Sequence, residues 1–71
     1  MVPSGGVALP AINIEIGKLS VDQKRQLVRT VTKAASEASG VPEQAFYVFV
    51  NEHPHENVAV GGELLADRQT R

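Results

Sequence analysis

Residues of the kinds that do chemistry are thinly spread in this chain, and most of them read as ordinary structure. His53-Pro54-His55-Glu56 brings imidazoles and a carboxylate close together, and both groups ligate transition metals. No further ligand follows at a metal-binding spacing. The chain has no cysteine, which removes thiolate chemistry and cysteine-based zinc sites. This segment is expected to be a solvent-exposed loop with no metal. Arg25, Arg29 and Lys33 recur at i, i+4 spacing, a pattern that also occurs in nucleic-acid-binding helices. They lie opposite the apolar stripe through Leu27, Val31 and Ala35, where a helix keeps its solvated face. With a formal charge of −1, no nucleic-acid partner is expected. Gly61-Gly62 lacks the spacing and the lysine of a phosphate-binding loop and reads as a turn. By type alone, Pro10 marks the start of a strand.

The elements that hold these residues must fit in 71 residues, enough for one small domain near the lower limit of independent folding. Apolar residues make up 42% and charged residues 21%, which suits a globular chain rather than a disordered one. The aromatics are Phe46, Tyr47 and Phe49, so large rings add little to a core. A fold this small without disulfides gains stability most readily by oligomerising. No apolar run approaches the length of a membrane span, and the start lacks the basic and apolar regions of a signal peptide. A soluble, cytoplasmic protein without a membrane partner is the expectation.

Residues 1–9, with Pro3, Ser4, Gly5 and Gly6, form a non-periodic cluster set apart from the patterned remainder, so a boundary is placed between Leu9 and Pro10. From Ala11 to Ile16, Ile12, Ile14 and Ile16 alternate with polar residues, the period of a strand with one apolar face. Gly17 ends it. Ser20-Val21-Asp22-Gln23 is a capping-box pattern, with Asp22 placed to favour the helix dipole. Leu27, Val28, Val31, Ala34, Ala35 and Ala38 then predict a helix over residues 21–39, closed by Gly40 and Pro42. A second strand is predicted from Phe46 to Glu52. Phe46, Val48 and Val50 share one face, and Tyr47, Phe49 and Asn51 share the other. The connection is long enough for a helical crossover, so the strands should run parallel with right-handed topology. A polar loop, a strand-like piece at Val58–Val60, the glycine bend and an amphipathic turn complete the chain. One helix covers one sheet face only. The face bearing Tyr47 and Phe49 therefore needs a partner, and a second copy is the economical one.

Several segments in this order, Pro10-Ala11-Ile12-Asn13-Ile14, Ser20-Val21-Asp22-Gln23-Lys24, Val50-Asn51-Glu52 and Val60-Gly61-Gly62-Glu63-Leu64, resemble the 4-oxalocrotonate tautomerase family. The resemblance covers residues 10–71. Glu56-Asn57-Val58-Ala59-Val60-Gly61-Gly62 is most similar to its archaeal-type branch. The resemblance implies an α+β fold: a β-α-β unit with parallel strands and a C-terminal hairpin. It also implies a homohexamer, a trimer of dimers in which paired units form four-stranded sheets. The implied activity is cofactor-free keto–enol tautomerisation of small 2-oxo or enol carboxylic acids. Its base is an amino-terminal proline, here Pro10. An α-amino group titrates near about 7.7–8.0, and burial lowers that value, so such a base can take a proton from one carbon and return it to another.

The chain departs from the family at its working positions. As written, the Pro10 nitrogen is in an amide with Leu9 and has no basicity. The expectation is a functional start at Pro10. Leu9 would be a misread start codon, translated as methionine and then cleaved, or else residues 1–9 would be removed by proteolysis. Retention of the extension would leave a non-catalytic oligomer. The family's carboxylate-binding arginine before the helix falls at Lys18 or Leu19, and Lys18 is the chemical choice. The second arginine aligns with Tyr47, a hydrogen-bond donor without charge. The apolar phenylalanine near the hairpin aligns with Val58, which would help desolvate the base. Loss of two guanidiniums, the bidentate partners of carboxylates, separates this chain from the dicarboxylate substrate of the namesake enzyme.

Overall fold

A computed structural model describes residues 10–68; the predicted extension over residues 1–9 lies outside them. The first strand, β1, spans Ala11–Ile16, the long helix α1 Val21–Ser39 and the second strand, β2, Tyr47–Glu52. A two-residue hairpin of β3 (Ala59–Val60) and β4 (Glu63–Leu64) follows, and α2 (Leu65–Arg68) is a single turn.

β1 and β2 pair in parallel, in a register that sets Ala11 opposite Tyr47 and Ile16 opposite Glu52. The isoleucines of β1, with Val48 and Val50 of β2, are half-buried on the side that α1 covers, and the residues between them in β1 are exposed. Hydrogen bonds run past both ends of the ladder. The Tyr47 N–H donates to the Pro10 carbonyl at 3.0 Å, and the His53 N–H donates to the Ile16 carbonyl at 2.9 Å. Proline at this place costs the sheet nothing, because its carbonyl is used and no N–H is required.

The capping box of α1 is complete. Ser20 Oγ accepts from the Gln23 N–H at 3.1 Å, and Gln23 Oε1 accepts from the Ser20 N–H at 2.8 Å. The helix ends at Gly40, whose φ of 81° lies in the left-handed region and whose N–H returns to the Ser36 carbonyl. Replacing the cap by Ser20→Ala is expected to destabilise the protein by about 1 kcal/mol, read as a shifted urea midpoint at fixed protomer concentration.

Three details differ from the sequence expectation. Phe46 does not begin β2, because a 3₁₀ turn over Glu43–Ala45 closes on it: its N–H bonds back to the Glu43 carbonyl and it cannot join the ladder. Ala34 and Ala38 are exposed; the covered side of α1 runs through Leu27, Val28, Val31, Thr32, Ala35 and Ser36. The stripe is rotated toward Thr32 and Ser36, and Ser36 Oγ donates to the Val41 carbonyl at 2.6 Å, drawing that side of the helix toward the chain's return. The third strand starts at Ala59 rather than Val58, whose carbonyl instead accepts the Leu65 N–H at 2.8 Å and ties α2 to the hairpin.

The hairpin turn is Gly61-Gly62, with φ of 61° and 86°. Two successive positive φ values match the twist of the flanking strands in a two-residue loop, and glycine adopts them without steric cost. Among the described residues none is fully buried, while Tyr47 and Phe49 are 55% and 50% exposed on the open face of the sheet. In the single chain the apolar residues are shared between a thin layer under α1 and this uncovered face.

Candidate active site

The expected site residues fall at opposite ends of the strand pair. Pro10 and Tyr47 meet at the amino end, joined by the backbone hydrogen bond between them. Pro10 is half-buried there, and the Tyr47 side chain is exposed. Lys18 follows the carboxyl end of β1, exposed in the loop before α1. Leu19, the other residue that could take the arginine's position, is half-buried, and its N–H donates to Glu52 Oε2 at 2.8 Å. Of the two, Lys18 is the exposed one, and the Leu19 amide ties the loop to Glu52.

Val58 also belongs to the carboxyl end. It lines a pocket of about 240 Å³ between the end of the sheet and the hairpin. Ile16, Val58 and Leu65 form its apolar walls, and Glu15, His53 and His55 are its polar lining. Gly17 borders the same pocket, so Lys18 is the next residue along the chain from its edge. Six strand residues at about 3.3 Å each separate this end from Pro10 by roughly 20 Å. One chain sets Pro10 beside Tyr47 at one end and carries Lys18 and Val58 toward the other, but it does not bring the two pairs together.

Comparison with known proteins bears on the family and the fold. Residues 10–68 match the family described as Tautomerase enzyme. The chain belongs to the tautomerase family. It is similar to the 2-hydroxymuconate tautomerase of Bacillus subtilis (strain 168), with 40% identity over 48 residues, covering 68% of this chain and 77% of the relative. Among solved structures it resembles DmpI from Archaeoglobus fulgidus (40% identity, TM-score 0.77, covering 82% of this chain and all of that one). It also resembles TomN, a 4-oxalocrotonate tautomerase homologue of the tomaymycin biosynthetic pathway (33% identity, TM-score 0.83, 87% and 97% covered). The α+β unit with parallel strands and a C-terminal hairpin is the architecture of these tautomerases.

Two features of this tautomerase chain escaped the sequence reading. Glu52, the last residue of β2, holds the Leu19 amide with one oxygen and Lys24 Nζ with the other at 3.3 Å. It pins the β1–α1 loop, and so the segment carrying Lys18, to the end of the sheet. The Leu19 N–H, then Lys24, and to a smaller degree Lys18 hold its carboxyl below its ordinary value of 4.5, against a smaller opposing effect of burial. The folded pKa lies below the unfolded one, so the contribution is present above about pH 4.5 and is lost as pH falls through the folded value. Glu52→Gln is expected to lower stability at neutral pH and to flatten the loss of stability on acidification below that point, followed by circular dichroism.

The second feature is a polar cluster on the open sheet face. Glu15 accepts from Asn51 Nδ2 at 3.1 Å and contacts His53 Nε2. The parallel register makes Glu15 and Asn51 direct neighbours, which no linear spacing reveals. Its tie to Glu15 places His53 beside the strand ends rather than in a free loop. His55 stands in the short turn His55–Asn57, and no group of three or more metal-binding side chains occurs among the described residues. Nor is any helix there long and apolar enough to cross a membrane.

Proposed function

We propose that this chain is a cofactor-free keto–enol tautomerase of small 2-oxo or enol carboxylic acids, with the secondary amine of Pro10 as general base. The observation that carries the reading is Pro10's position: it opens a tautomerase-family match and is fixed at the sheet end through its carbonyl. Its nitrogen takes no part in the ladder and is available for chemistry once its bond to Leu9 is gone.

In this reading the functional chain starts at Pro10, through a misread start codon or proteolysis. The amine removes a proton from carbon, giving an enolate, and returns it to a different carbon. Lys18 binds a substrate carboxylate or the enolate oxygen, Tyr47 donates a hydrogen bond to oxygen, and Val58 keeps water from the base. The gap between the Pro10 and Lys18 ends means that a working site takes Pro10 and Tyr47 from one chain and Lys18 and Val58 from another. Tyr47 and Phe49 on the open face are the surface for that association, and a hexamer built as a trimer of dimers satisfies it.

The test is a phenylenolpyruvate tautomerase assay on the 71-residue chain and on a version beginning at Pro10. Turnover confined to the second supports the reading. Equal inactivity of both favours a second reading, which the amide at Pro10 itself recommends: an assembled scaffold of the same fold that does no catalysis.

A further inference from the structure

We infer that the Val58 pocket receives an uncharged, apolar end of the substrate, so that monocarboxylate enol acids are preferred to dicarboxylate ones; this builds on the tautomerase reading above and names its substrate class. A substrate with a carboxylate at each end needs a cation at each end, or an equivalent set of donors. Lys18, the residue after the pocket-lining Gly17, supplies one cation. Within the pocket the walls are Ile16, Val58 and Leu65, which solvate a hydrocarbon or aryl group and not an anion.

The polar lining strengthens the exclusion. Glu15 is a carboxylate, and its contact with His53 neutralises that imidazole when it is protonated. Glu15 sets an acidic side chain in the lining and brings no cation there. Among the described residues the remaining cations are occupied or remote. Lys24 is bound to Glu52, Arg25 to Asp22 and Arg68 to Glu63, while Arg29 and Lys33 are exposed on α1. At the other end of the site Tyr47 offers a hydroxyl and no charge. A second carboxylate entering the pocket would meet Glu15 and an apolar wall.

The experiment uses protein purified from its own host, so that the amino terminus is the one the cell makes. Binding of phenylpyruvate, a monocarboxylate with an apolar end, is compared with that of 2-oxoadipate, a dicarboxylate, by calorimetric titration at about pH 8. Phenylpyruvate should bind at least about 10-fold more tightly, the ratio that roughly 1.4 kcal/mol of repulsion and desolvation produces. Glu15→Gln should narrow the ratio several-fold by relieving the repulsion. Equal or tighter binding of 2-oxoadipate by the unaltered protein overturns the inference, as does failure of both acids to bind. The wild-type ratio decides even where the variant fails to assemble. Loss of the tautomerase reading is a separate result: phenylpyruvate binds selectively, but phenylenolpyruvate is not turned over.

Discussion

A chain that begins at Pro10 is expected to convert phenylenolpyruvate to its keto form, and Pro10→Ala in that chain to be slower by about 10²- to 10⁴-fold, the usual worth of a positioned general base. The 71-residue chain should stay at the level of the alanine variant. The physical reason is the nitrogen. In an amide its lone pair is delocalised into the carbonyl and cannot accept a proton at neutral pH. As a free amine it titrates near the working pH, where the fraction unprotonated and the strength of the base are both useful. Neither change disturbs the fold at Pro10, since the carbonyl that bonds the Tyr47 N–H is untouched in both chains. Full activity in the alanine variant would remove Pro10 from the mechanism.

The second large effect is expected from Phe49→Asp. Phe49 lies within β2 opposite Asn13 and is half exposed on the face that α1 leaves open. An aspartate there would have to bury an unpaired carboxylate in any association across that face, at a cost of several kcal/mol. Sedimentation should show dissociation to single chains. Turnover should fall by more than about 100-fold, which corresponds to roughly 2.7 kcal/mol, because Pro10 and Lys18 of one chain are too far apart to share a substrate. A dissociated variant with undiminished activity would show that a single chain holds a complete site.

Much of the fold was legible because local rules agree with one another along this chain. The alternating isoleucines define β1 from Ala11 to Ile16, and the Ser20/Gln23 pair and Gly40 bound α1 at both ends. The long crossover selects parallel pairing. What was not legible depends on tertiary partners. The alanine-rich end of α1 gives weak directional information, so Ala34 and Ala38 were assigned to a covered stripe that instead runs through Thr32 and Ser36. The turn at Glu43–Ala45 has no strong signature and shortened the second strand.

The candidate site rests on a different kind of reading. Pro10, Lys18, Tyr47 and Val58 were found through resemblance to a family, since no spacing in the chain joins them. Their division between two ends of a strand pair became visible only with the register. Glu15, Asn51 and His53 illustrate the same limit. Glu15 lies 36 and 38 residues from Asn51 and His53, and only pairing of β1 with β2 makes the three a cluster.

The measurement that tests the central claim most directly is the intact mass of the protein isolated from its native host. The account predicts a chain whose first residue is Pro10, carrying an unmodified secondary amine. A mass that retains residues 1–9 would contradict it: with the ring nitrogen still acylated, the fold would remain and its proposed base would not exist.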